Sequence, residues 1–375
     1  PRKGITMFGH EVRARIYFVF AGIGLITAWW FNAIASIEGQ DYIKAWFGSA
    51  VDWVLSLDLL IVILALVVFM LYEAKKLGMK RVWLYFLASG ITAMAFTFPL
   101  FMAFRELRKQ KIAMAFGKLE TFTVDNHRVD VWVPEKVVSY TPILMMHDGK
   151  NVFDPRTAST NTPWRILDAL RDKRIKADPQ PLIVAVHGLG PGTRMLELAP
   201  KEIVEAHPDI FDNLPLEYKP IHKTSMNGEY NVLLAEKILP MVLEKYGIEH
   251  QMERTAIAGG SMGGLASLYL MSKYPHLFGA ALCFSTHWII GHEYMSQELP
   301  KYLPNPGKHK IYTDSGTEGL DLFYPPFHNK AIKGFEARGY VRDKDLMFGI
   351  FPGTAHEESD WAARLHQPIN WWLLG

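Results

Sequence analysis

Thr255-Ala256-Ile257-Ala258-Gly259-Gly260-Ser261-Met262-Gly263 decides how the larger part of this chain folds. An apolar run leads into G-x-S-x-G, and Leu265-Ala266-Ser267-Leu268-Tyr269-Leu270-Met271 continues with helix formers. That order predicts a strand, a tight turn and a helix, with Ser261 in a strained conformation and its hydroxyl exposed at the corner. The flanking positions are glycine because a Cβ there would collide with the turn. A glycine-rich turn without chemistry satisfies the same five residues. The strand before it and the helix after it favour a nucleophile elbow.

At 375 residues the chain exceeds the size at which one core stops growing, so two domains are expected. Its 40 basic and 38 acidic residues leave a net charge of +2, and no Lys/Arg stripe alternates with aromatics, which argues against nucleic-acid binding. The single cysteine, Cys283, lies in the apolar run Ala280–Phe284 and reads as core. One cysteine excludes an intrachain disulfide framework.

Apolar residues are concentrated at the start. Ile16 to Ile37 and Val82 to Phe104 contain no charge, and Trp53 to Tyr72 contains only Asp58. Each run has about the 20 residues that a helix needs to cross a bilayer. Residues 1–111 are therefore expected to form a three-span transmembrane domain, and 112–375 a second domain. The first run, with its basic lead, imitates a signal peptide but is too long, and two further runs follow it. Arg2, Lys3, Arg13 and Arg15 precede span one, and Lys75, Lys76, Lys80 and Arg81 follow span two, against Lys44 alone in the loop between. With three crossings, this bias puts the N-terminus in the cytoplasm and the second domain on the periplasmic side of an inner membrane. Arg105, Arg108, Lys109 and Lys111 oppose that placement. Asn32 and Asp58 read as helix–helix hydrogen bonds or as polar groups near a wet span end rather than as a relay.

From about Leu119, strand-like and helix-like segments alternate. Ile143–Met146 and Leu182–Val186 are continuous apolar runs, as central strands should be. Further strands are expected at Val129–Val133, Thr255–Ala258, Ala280–Phe284, Lys310–Thr313 and Met347–Phe351. Helices are expected at Tyr230–Tyr246, Phe327–Arg338 and Trp361–Leu373. This is the β–α alternation of a mostly parallel, doubly wound sheet, an α/β-hydrolase fold when joined to the elbow.

A serine nucleophile needs a base and an acid, and this fold supplies them in the order Ser, acid, His. Seven histidines follow Ser261: His276, His287, His292, His309, His328, His356 and His366. His356 is the favoured base, since Phe351-Pro352-Gly353-Thr354-Ala355 places it in a small-residue loop after a strand, where such folds gather their sites. The acid should follow the preceding strand. Asp321 and Glu318 both fit, Asp321 being preferred, and Asp314 lies too close to the strand. The Met262 N–H should form half of an oxyanion hole, and the loop His147–Asn151 is the natural source of the other half. Gly188-x-Gly190-x-Gly192 contains Pro191 and reads as a loop. His287 and His292 lack matching ligands, so no metal site is expected, nor any cofactor.

The second domain resembles the esterase family that includes esterase D, feruloyl esterases, siderophore esterases and the mycolyltransferase antigens. Four ordered stretches carry the resemblance: Met145–Pro155, Arg254–Ala280, Asp314–Tyr324 and Pro352–Leu365. It implies Ser261 as nucleophile and His356 as base, and by analogy with the mycolyltransferases it makes Lys150 the second oxyanion donor. It does not choose between Asp321 and Glu318. The first hundred residues resemble, more loosely, an uncharacterised family of three-span membrane proteins. The expected protein is a membrane-anchored serine hydrolase that cleaves a carboxylic ester or transfers its acyl group. Its expected partners are the bilayer and a small-molecule ester. The alternative is an assembly subunit that keeps the hydrolase fold as a docking module for other membrane subunits. The acyl pocket would be formed by loops such as Leu189–Pro220, whose composition does not specify a substrate.

Overall fold

The computed structural model describes residues 5–212, 225–291 and 293–375, and the chain divides into two units at Gly117. Arg2, Lys3, His292 and residues 213–220 of the Leu189–Pro220 loop lie outside the described residues.

The first unit is helical: α1 (Ile5–Ile37), α2 (Tyr42–Phe47), α3 (Ala50–Leu77), α4 (Trp83–Ile91) and α5 (Met94–Phe116). A capping box between Ser49 and Asp52 starts α3, and Gly78 ends it in the left-handed conformation (φ 60°, ψ 33°). Two stretches are long and apolar enough to cross a bilayer, Val12–Ile37 and Ala50–Leu77, and most of their surface is uncovered. The third expected span is corrected. Val82–Phe104 is not one helix but is divided at Thr92–Ala93, where Ala93 is extended (φ 165°, ψ 157°) and no side chain caps α5. The nine residues of α4 reach only about 14 Å, half of a bilayer core. Pro99, the residue that sequence rules would pick for a break, sits inside α5. Asn32 bonds to the Ala28 carbonyl at 2.7 Å and to the Tyr42 hydroxyl at 2.8 Å, so the helix end satisfies it locally. Asp58 lies on an exposed face of α3.

The second unit is built on eight strands: β1 (Gly117–Val124), β2 (His127–Pro134), β3 (Ile143–Met146), β4 (Leu182–Val186), β5 (Thr255–Gly260), β6 (Ala280–Phe284), β7 (Lys310–Ser315) and β8 (Leu346–Ile350). Their order in the sheet is β1-β2-β4-β3-β5-β6-β7-β8. β2 runs antiparallel to β4, and every pair from β4 to β8 is parallel. This is the α/β-hydrolase fold. β3 to β6 are buried along their whole length, which is why they read as unbroken apolar runs. Four helices matter to the site: α6 (Pro191–Leu198), α7 (Met262–Lys273), α8 (Pro325–Ala337) and α9 (Glu358–Arg364). The expected helix Trp361–Leu373 is two, because the chain breaks at Leu365 before a second helix, His366–Leu374. β3 pairs with β4 on one side and β5 on the other, so the strand order reverses there. Ligands of open α/β sheets bind beyond the strand ends at such a switch point. The loops that leave β3 and β5 carry His147–Asn151 and Ser261.

Candidate active site

Ser261 joins β5 to α7 with φ 59° and ψ −123°, a conformation that costs on the order of 1–3 kcal/mol for a residue with a side chain. The corner is held on both sides. Ser261 N–H donates to the Phe284 carbonyl at 2.9 Å, and His287 N–H donates to the Ser261 carbonyl at 3.2 Å. A Cβ on Gly259 would stand 2.7–2.8 Å from backbone atoms of Gly263, because strand and helix nearly touch. One on Gly260 would enter the Trp361 ring at 2.5–2.9 Å.

Asp321 is the carboxylate that meets His356. Its Oδ1 accepts from His356 Nδ1 at 2.6 Å, and the Asp321 side chain is fully buried. Its Oδ2 accepts from Ser285 Oγ at 2.5 Å and from Gly316 N–H at 2.6 Å. Burial opposes the charge on Asp321, but the bonds from His356 and Ser285 outweigh it and hold the carboxyl below its ordinary pKa. Glu318, three residues earlier, is exposed, and its backbone N–H bonds to the Thr354 carbonyl. Asp314 is engaged elsewhere. It forms a buried two-bond ion pair with Arg364 of α9 at 2.7 and 3.1 Å and accepts from Ser285 N–H at 2.8 Å. Removing one partner of such a pair costs about 3–5 kcal/mol, so this pair anchors Ser285 beneath the acid.

The imidazole of His356 packs edge-on against Trp361 at 5.2 Å and Tyr324 at 5.5 Å between ring centres. The Tyr324 hydroxyl lies 2.6 Å from His287 Nδ1 and close enough to the Ser261 side chain to interact with it electrostatically. No bond joins Ser261 to His356 among the described residues, a common state for catalytic pairs without substrate. Tyr324 and His287 are the neighbours that sequence reasoning missed. Tyr324 follows Asp321 by three residues, but nothing in that spacing aims it at a serine 63 positions earlier. Burial and the nearby His356 and Arg194 charges depress His287 to about 3, so its ring is neutral.

On the other side of Ser261, Met262 opens α7, where a backbone N–H has no preceding carbonyl to bond. Lys150 lies in the one-turn helix Gly149–Asn151 that leaves β3. The two segments adjoin: a Cβ on Gly263 would stand 3.3 Å from His147 Cβ and 3.8 Å from Asp148 Oδ2. Asp148 is left-handed (φ 52°, ψ 50°) and is gripped by Arg194 of α6 through bonds of 2.7 and 2.6 Å. Burial would raise the Asp148 pKa, but the Arg194 charge overcomes it and holds it low. Arg194 thereby fixes the turn that presents Lys150.

Two further buried histidines are expected to make the unit acid-sensitive. Burial lowers His147 and His328 to about 4 each, and in both the Nε2 atom has no partner. A folded-state pKa below the unfolded value of about 6.5 means the unfolded chain binds more protons as the pH falls. Stability is then full above pH 6.5 and declines below it, by roughly 2 kcal/mol per histidine at pH 5. The denaturant midpoint of the second unit's transition is expected to fall clearly between pH 7.5 and pH 5. An unchanged midpoint would contradict the neutral burial of these rings.

A family model described as "Putative esterase" matches residues 190–367, a segment that holds Ser261, Asp321 and His356. Residues 190–367 of the C-terminal unit are thus similar to this esterase family. A second model, "Protein of unknown function DUF2834", matches residues 16–107. The chain is 20% identical over 265 residues to the uncharacterized protein YbbA of Bacillus subtilis, covering 68% of this chain and 96% of that protein. Among solved structures, the enterobactin esterase of Shigella flexneri aligns over 68% of this chain at 18% identity, with a TM-score of 0.47. The aligned part is 59% of that protein's length. The enterobactin and salmochelin hydrolase IroE aligns over 68% of this chain and 94% of its own at 19% identity, with a TM-score of 0.47. A ferulic acid esterase aligns over 69% of this chain and 98% of its own at 16% identity, with a TM-score of 0.49.

Proposed function

We propose that the protein is a membrane-attached serine esterase working through Ser261, His356 and Asp321. The observation that carries this reading is the 2.6 Å bond between His356 Nδ1 and buried Asp321, set beside a serine at φ 59°. With its Nδ1 proton directed at Asp321, the imidazole keeps Nε2 free to accept a proton. Ser261 Oγ attacks the ester carbonyl while His356 Nε2 takes the hydroxyl proton. The backbone amides of Met262 and Lys150 stabilise the oxyanion of the tetrahedral intermediate. Collapse breaks the ester C–O bond, His356 returns the proton to the leaving alkoxide, and the acyl group stays on Ser261. Water, activated by the same histidine, then releases the acid and restores the serine. A second alcohol in place of water would give acyl transfer with the same proton bookkeeping.

The bilayer holds the protein through the first unit, and the substrate is a small-molecule ester. Purified full-length protein in detergent micelles is expected to turn over p-nitrophenyl acyl esters. His356→Ala is expected to lower kcat by on the order of 10³-fold or more. A folded wild type with no turnover across acyl lengths would favour the reading as an assembly subunit with a retained hydrolase fold.

A further inference from the structure

The first unit decides which membrane face the esterase unit occupies. Two pairs of side chains join α4 to α5: Tyr85 packs edge-on against Phe101 at 5.5 Å, and Ser89 Oγ lies 2.5 Å from Thr97 Oγ1. Both pairs are centred on Ala93, so the two helices fold back on each other about that residue. They do not continue one another across a bilayer.

The depth of this hairpin can be read against α1. Gly24 meets α5 backbone to backbone, since a Cβ there would lie 2.2 Å from the Ala95 carbonyl oxygen. Arg13, about 16 Å nearer the start of α1, bonds to Glu106 of α5 at 2.9 Å. The two helices therefore run antiparallel in register, with the start of α5 about halfway along a 30 Å bilayer core. Arg105 bonds to Glu73 of α3 at 2.5 Å and to Glu106 at 2.8 Å, and Arg108 donates to the Leu77 carbonyl at 3.0 Å. These bonds set the start of α1, the end of α3 and the last half of α5 at one level.

That level also collects the positive charge. Arg13, Arg15, Lys75, Lys76, Lys80, Arg81, Arg105, Arg108, Lys109 and Lys111 all belong to it by chain position. The opposite turn, residues 38–52, carries Lys44 with Glu38, Asp41 and Asp52. Under a three-span reading Arg105 to Lys111 contradicted the charge bias; with the hairpin they join it.

We propose that α4 and α5 form a re-entrant hairpin dipping about halfway into the bilayer, so that residues 5–116 cross twice and the esterase unit stands on the basic face with the start of α1. By the positive-inside rule that face is cytoplasmic. The non-helical backbone at Thr92–Ala93 lies at membrane depth, where it is tolerated when covered by protein, and α1 supplies cover at Gly24. The ester this unit acts on is then one that reaches it from the cytoplasm or the inner leaflet.

Full-length protein in intact bacterial cells tests this with a membrane-impermeant maleimide. Buried Cys283 is first replaced in a Cys283→Ala background. Single cysteines are then placed by Gln40→Cys in the α1–α2 turn, Lys80→Cys in the α3–α4 turn and Lys301→Cys on the esterase surface. The expected result is labelling of the Gln40→Cys variant in intact cells, and of the other two only after permeabilisation. Labelling of the Lys301→Cys variant in intact cells while the Lys80→Cys variant stays protected would establish a third crossing and overturn the hairpin. Protection of the Gln40→Cys variant alone would overturn the cytoplasmic assignment. The readout does not depend on turnover, so its failure is distinct from failure of the esterase reading.

Discussion

Ser261→Ala is expected to lower kcat for ester hydrolysis by on the order of 10⁴–10⁶-fold, with KM and the unfolding midpoint nearly unchanged. The loss is large because the hydroxyl is the attacking group and no neighbour can stand in for it. Tyr324 is the nearest alternative, but burial and the Asp321 charge raise its pKa well above the ordinary phenol value, so it stays a neutral hydroxyl. The fold should tolerate the change. Alanine at φ 59° is as strained as serine, and the backbone bonds to Phe284 and His287 that hold the corner are unaffected. Losing the Ser261 hydroxyl leaves Tyr324 bonded to His287. Residual rate above background should persist, since the Met262 and Lys150 amides remain. Steady-state kinetics with thermal unfolding of the same preparations measures both parts. A variant that retains a tenth or more of kcat would remove Ser261 from the mechanism.

Asp321→Asn and Glu318→Gln form the second contrast. The first is expected to lower kcat by about 10⁴-fold, the loss seen when a triad aspartate becomes an amide and the histidine tautomer reverses. The amide that replaces the carboxylate can donate to His356 Nδ1, which would turn the ring proton to Nε2 and block its work as a base. Asp321 also accepts from Ser285 and Gly316, so some stability is lost as well, and activity must be compared per folded molecule. Glu318→Gln should leave kcat within about twofold, because an exposed carboxylate outside the bond to His356 has little field at the site. Equal losses in the two variants would show that the acid is not the residue bonded to His356.

Why Asp321 and Glu318 could not be separated in sequence follows from the turn they share. They lie three residues apart at the end of β7, and both leave the strand within reach of the His356 loop. What separates them is tertiary: Ser285, from the loop after β6, and the Gly316 amide converge on one carboxylate. The elbow was legible for the opposite reason, since a strand, two glycines, a serine and a helix state their own local geometry. The central strands were legible because β3 to β6 are buried on both faces and so lack polar positions. The hairpin was hidden by the same physics. A lipid-facing or helix-facing position is apolar in a straight span and in a re-entrant pair alike, so Val82–Phe104 carries no mark at Thr92. The only punctuating residue in the second half of that run, Pro99, sits within α5. Charge held the one clue, in Arg105, Arg108, Lys109 and Lys111, which fitted no odd number of crossings. Tyr324 and His287 were hidden because their pairing depends on how the β6 and β7 loops meet over Ser261.

Ser261 as the nucleophile, poised by His356 and Asp321, is the claim on which the rest depends. Its most direct test is to incubate the full-length protein with diisopropyl fluorophosphate and map the adduct by peptide mass spectrometry. A single adduct is predicted, on Ser261, formed with loss of esterase activity and strongly slowed by Asp321→Asn. An unmodified Ser261 in inactivated protein, or an adduct on any other residue that tracks the loss of activity, would contradict it.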